Sequence, residues 1–386
     1  MKKNNFNILV AGFATFSMFF GSGNLVFPLQ IGVTTGDHFG YAALGLFITG
    51  IIIPFIGLFS VLVNATSSAD VLTRIGRVPG LILIFLMLSL MGPFGVGARC
   101  VLVAYGGVQL LFPNLPLFAF GAVFCAITGY IIWRRHVFVG IIGRFLTPIL
   151  LGGITVIILF GLFFGGKPLA VDYSPLETFK IGFNFGYQTM DLLAAFFFSG
   201  AALEYLKYAH EGVETKKELI LEGIKASMIG ITLLAIVYGG FVILGAQYAP
   251  ILKTVAPEQM LTQIAGQALG VFAIPIMAVT VLLACLTTLI VLVNLFAEFT
   301  HEHILKTRYD IHWSIIATLL ITFLVSLFGF YTLAVWIDKA LSFAYPALIA
   351  FALASIICDL AHWNHKVVQR VFYLSLIIVI LYHVLV

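Results

Sequence analysis

The sequence predicts an all-α polytopic membrane protein of about eleven transmembrane helices, the first and sixth of them discontinuous. Three observations carry this. The chain is 61% hydrophobic and 9% charged, with a mean hydropathy of +1.12, beyond the range of a soluble domain. Its apolar stretches recur at lengths that cross a hydrocarbon core, which takes about 20 residues each. Two of them are interrupted at mid-span by glycines and hydrogen-bonding side chains.

The stretches run near 8–33, 40–63, 80–107, 116–133, 138–164, 181–205, 219–247, 268–298, 312–329, 331–357 and 367–386. Lys2-Lys3 ahead of the first mimics a signal peptide, but the run is too long and carries no convincing small-x-small cleavage site, so it reads as a retained span. With the N-terminus inside, cytoplasmic segments hold Lys2, Lys3, Arg74, Arg77, Arg134, Arg135, Arg144, Lys207, Lys216, Lys217, Lys225, Lys306, Arg308, Lys366 and Arg370. The outer side holds Lys167, Lys180 and Lys253, while Arg99 and Lys339 lie within spans. Fifteen against three follows the positive-inside rule and supports the span count. The net charge of +4 reflects topology and points to no nucleic acid. The longest polar loops are too short to build a soluble domain.

Span 1 carries Phe19-Phe20-Gly21-Ser22-Gly23-Asn24, followed by Pro28. Bare backbone at membrane depth costs several kcal/mol per unsatisfied group, on the order of a lost hydrogen bond each, unless it is buried in protein or lines a cavity. The run therefore reads as a helix unwound to expose amides and carbonyls, as secondary transporters do around substrates and ions. Span 3 has Gly92-Pro93, which is expected to kink the helix, then Arg99 near its outer end, where an arginine commonly snorkels to the interface. Span 6 reads Gly182-Phe183-Asn184-Phe185-Gly186-Tyr187-Gln188-Thr189-Met190-Asp191. Five spans separate the two interruptions, and an odd number of crossings inverts the second half against the first. Paired interruptions mark a midplane binding site; the alternative is that Gly182 and Gly186 simply allow close helix packing.

An acid at mid-membrane costs about 2.5–3.5 kcal/mol on insertion scales, so Asp191 needs a cavity and a partner. It is placed to ligate a cation, pair with Arg99, carry a proton, or cap the half-helix that follows. In span 8, Thr287 and Thr288 either bond back to their own helix or offer oxygens to sodium. In span 10, Asp338 and Lys339 do not face each other, and an ion pair with another helix is expected. Cys100, Cys125, Cys285 and Cys358 read as buried small hydrophobes. His301-x-His303 and His362-x-x-His365 lack a third ligand, and these, with His136, His210 and His312, read as solvated loop residues.

Several of these motifs together resemble the branched-chain amino acid carrier proteins, the leucine-isoleucine-valine cation symporters. The resemblance rests on Phe19–Pro28, Gly92-Pro93 with Arg99, Gly143-Arg144-Phe145-Leu146-Thr147-Pro148, Gly186–Leu192, Ala284-Cys285-Leu286-Thr287-Thr288 with Ala297-Glu298-Phe299, and Tyr345-Pro346. It covers nearly the whole chain. It implies a LeuT-type five-plus-five inverted repeat, about 8–164 against 181–357, with 367–386 as an extra helix in a single transporter domain. It further implies that the amides of Ser22 and Gly23 meet the substrate carboxylate, with Asn24, Tyr187, Thr189, Met190 and Asp191 around the substrate. Carbonyls of Ser17 and Phe20 with the hydroxyls of Thr287 and Thr288 would form a sodium site. The family usually has twelve spans, so a chain closing on an eleventh is expected to end outside. Asp338-Lys339 is more charged than the family pattern.

The function these readings imply is sodium-driven symport of leucine, isoleucine and valine across the cell membrane by alternating access, with proton-coupled symport of the same or another small amino acid as the alternative. No cofactor, no metal beyond sodium and no enzymatic activity are expected, because Gly-x-Ser-x-Gly, His-Glu-x-x-His and a nucleotide-binding glycine loop are all missing from the sequence. A channel or a purely structural subunit fits the paired interruptions poorly.

Overall fold

Among the residues that the computed structural model describes, 2–63, 67–133, 146–209 and 216–385, helices occupy the expected apolar stretches. Arg134, Arg135, His136, Gly143, Arg144, Phe145 and His210, with the first part of span 5, lie outside the described residues.

Span 1 consists of two helices, Lys2–Phe19 and Ser22–Thr35. Span 2 runs from Phe39–Phe47 through a π-helical turn, Ile48–Ile52, into Ile53–Leu62. Pro54 explains that turn, since it has no N–H to offer the preceding carbonyls. Span 3 is Arg77–Met91 and Val96–Gln109, and span 4 is Leu117–Trp133. The described part of span 5 is Thr147–Phe164; span 6 is Pro175–Gln188 and Asp191–Ala209. Span 7, Lys216–Gln247, leads through the short helix Met260–Leu269 to span 8, Ala273–Phe299. Spans 9 to 11 are Ile311–Ser326, Phe330–Leu360 and Lys366–Leu385.

Among the described residues, seven helices are long and apolar enough to cross a membrane alone, and Phe6–Phe19, Leu117–Trp133, Asp191–Gly200 and Ile311–Ser326 are shorter. Within Ser22–Leu62 the second half of span 1 runs almost directly into span 2. Length alone therefore does not divide the chain into the spans that hydropathy suggests.

Local chemistry sets the helix ends. Ser174 and Glu177 form a capping box ahead of span 6, the Glu177 carboxylate accepting from the Ser174 N–H and hydroxyl at 2.8 Å each. Those bonds hold the Glu177 carboxyl below its usual range. Asp310 caps span 9 by accepting from the His312 N–H at 3.1 Å.

Packing then relies on small residues, because lipid removes the hydrophobic drive between helices and leaves dispersion and close approach. A Cβ on Gly45 would stand 2.6 Å from the Phe183 nitrogen, and one on Gly182 would stand 2.6 Å from the Ala42 carbonyl carbon. Spans 2 and 6 thus meet backbone to backbone. A Cβ on Gly32 would stand 2.6 Å from the Ala246 nitrogen, which locks the second half of span 1 to span 7.

Three expectations change here. The helix Pro175–Gln188 continues through Gly182 and Gly186, so those glycines pack and the interruption of span 6 falls later, at Gln188–Asp191. Span 3 is broken over 92–95 instead of kinked. Asp338 forms no ion pair among the described residues; its carboxylate accepts from Gln188 Nε2 at 3.1 Å. All four cysteines are buried and free, as expected. Among the described residues no group of three metal-ligating side chains occurs.

Candidate functional site

The break in span 1 releases carbonyls. An unbroken helix would send the Gly21 N–H to the Ser17 carbonyl. Here that N–H donates to the Phe19 carbonyl at 2.8 Å and to Asn24 Oδ1 at 3.3 Å. Asn24 therefore caps its own helix with the oxygen and turns its NH2 outward. Gly21 is small because Thr288 stands behind it: a Cβ there would lie 2.9 Å from the Thr288 methyl carbon.

Span 6 breaks at a residue with no sequence signature. Met190 is buried and holds φ at +63°, a left-handed conformation that costs a non-glycine residue about 1–2 kcal/mol. Its N–H bonds the Tyr187 carbonyl at 3.0 Å, and a new helix starts at Asp191. The acid sits at a helix N-terminus, where the dipole favours it.

The two breaks face each other. Asn24 Nδ2 donates to Asp191 Oδ1 at 2.9 Å and Oδ2 at 3.1 Å. Tyr238, from span 7, donates its hydroxyl to Asp191 Oδ2 at 2.5 Å and also contacts Asn24 Nδ2. Asn24, Asp191 and Tyr238 are 2%, 1% and 0% exposed, so this carboxylate is held by two neutral donors with no water needed. Tyr238 is the residue that sequence reasoning missed. Its only signal is a hydroxyl at mid-span of an apolar helix.

The remaining candidates divide. Asn24, Thr189, Met190, Asp191 and Thr288 line one cavity with Met18, Phe19, Phe198 and Leu292 among others. That space extends over about 10 Å³, room for roughly one water. Ser17, Phe20, Ser22, Gly23, Tyr187 and Thr287 lie outside its lining. Gly23 instead presses on the second break, where a Cβ would stand 3.2 Å from Thr189 Cα and 3.3 Å from the Gln188 carbonyl oxygen. Tyr187 packs against Tyr345 of span 10 with centroids 4.6 Å apart and the rings tilted by 52°. Thr189 bonds back to the Gly186 carbonyl at 2.8 Å.

The span 8 threonines behave differently from each other. Thr287 donates back to the Ala284 carbonyl at 3.0 Å. Thr288 reaches across to the Phe20 carbonyl at 3.4 Å, and the buried Ser17 hydroxyl nearby in span 1 has no hydrogen-bond partner.

Arg99 does not snorkel. It is wholly buried, and its Nη2 donates to the Gln188 carbonyl at 3.1 Å, the oxygen freed by the break in span 6. Its guanidinium lies 5.2 Å from the centre of the Phe27 ring. A pair between Arg99 and Asp191, one of the roles open to that acid, is not made: among the described residues neither side chain has an opposite charge within 4.0 Å.

Comparison with known proteins identifies this arrangement. The profile of the family described as branched-chain amino acid transport protein matches residues 4–385. The branched-chain amino acid permease BrnQ of Bacillus subtilis (strain 168) is 28% identical over 307 residues, covering 76% of this chain and 69% of that one. A Staphylococcus epidermidis chain named for the branched-chain amino acid carrier proteins is 29% identical over 377 residues, covering 92% and 82%. Among solved structures, MhsT in complex with L-phenylalanine superimposes with a TM-score of 0.61 at 16% identity, covering 96% of this chain and 97% of that one. That likeness shows a LeuT-type fold. With its profile matched almost end to end, this multi-pass chain belongs to the branched-chain amino acid transport protein family, whose members are transporters and not enzymes.

Proposed function

We propose that this protein is a sodium-driven symporter of leucine, isoleucine and valine in the cell membrane, working by alternating access. Residues 8–164 and 181–357 act as the inverted repeats, and the N-terminus faces the cytoplasm, as the distribution of basic residues favours. The observation that carries the choice of ion is the approach of span 8 to the break in span 1. Thr288 Oγ1 stands 3.4 Å from the Phe20 carbonyl oxygen, long for an O–H···O bond, which clusters near about 2.7–2.8 Å. Two oxygens at that spacing suit joint ligation of a hard cation better than bonding each other. The released Ser17 carbonyl and the Thr287 hydroxyl would complete the shell.

The substrate would lie at the facing breaks. The N-terminus of Ser22–Thr35 presents the amides of Ser22 and Gly23 to the carboxylate. Asp191, held by Asn24 and Tyr238, accepts the ammonium, with Thr189, Met190 and Tyr187 flanking the aliphatic group. One methylene in an apolar pocket is worth about 1–3 kcal/mol, so all three branched substrates are accepted. A cavity of about 10 Å³ cannot take an aliphatic amino acid unless its walls part. Loading therefore requires spans 1 and 6 to rock against spans 3 and 8.

The test is uptake of labelled leucine into liposomes under inward sodium, proton or potassium gradients. Uptake is expected under sodium alone, and Thr288→Ala is expected to raise the sodium concentration needed at least about tenfold, the loss of roughly one ligand–ion bond. Uptake driven by protons and unchanged in Thr288→Ala would instead favour coupling through Asp191. Tyr238→Phe removes a hydrogen bond to a buried charge, about 1.5–3 kcal/mol. It is expected to weaken leucine uptake about tenfold or more while the protein elutes as a monodisperse species.

A further inference from the structure

Two buried charges of opposite sign flank the facing breaks, and neither is paired. Asp191 is met by neutral donors, Asn24 and Tyr238 foremost, and by no basic side chain within 4.0 Å among the described residues. Arg99 spends one nitrogen on the Gln188 carbonyl, rests on Phe27, and leaves Nε and Nη1 buried without any partner. An isolated buried cation is strongly disfavoured unless paired and hydrogen-bonded. A structural role, closing the C-terminal end of Pro175–Gln188, needs only the one bond to Gln188. It accounts for neither the second nor the third nitrogen.

The surroundings say what those nitrogens face. The Gln188 carbonyl held by Arg99 is the oxygen that Gly23 presses against, so the guanidinium and the N-terminal end of Ser22–Thr35 converge on one place. Phe27, beneath the guanidinium, is one turn along that same helix. We infer that Arg99 is a binding residue for the α-carboxylate of the transported amino acid, acting with the Ser22 and Gly23 amides, and that the zwitterion bridges Arg99 and Asp191. The inference rests on the reading of this site as an amino-acid receptor. A zwitterion offers one carboxylate and one ammonium a few bonds apart, which neutralises both buried charges at once. An amine lacking the carboxylate would leave Arg99 unpaired, and the site would reject it on that account. Guanidinium–carboxylate bonds are among the stronger charge-assisted pairs, so selectivity for amino acids over amines would be set here and not by the apolar pocket.

The experiment titrates ligand-induced thermal stabilisation with leucine and with leucinol, which lacks the carboxylate, in wild type, Arg99→Gln and Arg99→Lys at fixed sodium. In Arg99→Gln, leucine affinity is expected to fall about 100-fold towards that of leucinol, with leucinol affinity unchanged. Arg99→Lys keeps the charge but loses the planar donors, and about a tenfold loss for leucine alone is expected; it decides the matter if the glutamine variant does not fold. Equal losses for both ligands would make Arg99 a structural cap and overturn the inference. So would a chloride requirement that vanishes in Arg99→Gln while the preference for leucine persists, since the guanidinium would then hold an inorganic anion. Wild type stabilised by neither ligand would overturn the amino-acid reading itself, a result distinguishable from both.

Discussion

Asp191→Asn is expected to abolish net leucine accumulation and to weaken leucine binding by about 10²–10³-fold. The carboxylate accepts from Asn24 and Tyr238 at 2.5–3.1 Å and is 1% exposed. An asparagine keeps one acceptor and adds a donor, so one of its groups meets the Asn24 NH2 or the Tyr238 hydroxyl as donor against donor. Only the hydroxyl can rotate away. The larger effect falls on the substrate: an ammonium buried without its counter-charge loses about 3–5 kcal/mol. Equilibrium binding and leucine counterflow in liposomes measure this separately from accumulation. Binding and counterflow lost together place the ammonium on Asp191. Binding and counterflow retained, with only accumulation lost, would make the residue a proton carrier and sink the ammonium assignment.

Gly182→Val is expected to prevent stable folding, by more than about 3 kcal/mol, the upper end of overpacking costs. Its Cβ would stand 2.6 Å from the Ala42 carbonyl carbon and 2.8 Å from its Cα. These are backbone atoms of a neighbouring helix that cannot turn aside as a side-chain tip would. Gly45 makes the reciprocal approach, so spans 2 and 6 would have to separate along the whole contact. The first half of span 6, which delivers Gln188 and Thr189, would move with them. Gly152, in Thr147–Phe164, is the control: nothing lies within 4 Å of a Cβ there, and Gly152→Ala should be neutral or stabilising by up to about 1 kcal/mol. Fluorescence size-exclusion after heating compares the two. A Gly182→Val protein that melts like wild type would show that the close approach carries no weight in the fold.

The sequence was most legible where chemistry conflicts with lipid. Glycines, serine and asparagine at Gly21–Asn24 have no reason to stand at mid-membrane unless backbone is being exposed, and the structure breaks there. Asp191 stands out for the same reason, and the structure brings it to Asn24 across 167 positions of chain. The break in span 6 was misplaced towards Gly182 and Gly186, because glycine signals both unwinding and close packing and a single sequence does not separate the two. The actual break rests on Met190, a residue with no turn preference, held left-handed by what surrounds it. Tyr238 was invisible, since an aromatic in an apolar helix is ordinary until its hydroxyl is seen beside a carboxylate. Arg99 was assigned to the interface because its depth depends on where span 3 breaks.

By itself, the sequence determined the class of protein, the order of its apolar stretches and the first and sixth spans as ones that polar residues interrupt. Those follow from hydropathy, helix length and the cost of unpaired polar groups in hydrocarbon, all local properties of the chain. Only the tertiary structure decided which polar groups meet. Glycine contacts between spans 2 and 6 and between spans 1 and 7 bring the breaks together, and span 7 contributes a hydroxyl that no local pattern announces. The burial of Arg99 and Asp191 close together yet unpaired is likewise a property of packing, since the depth of a charge and its neighbours are set by helices distant in sequence.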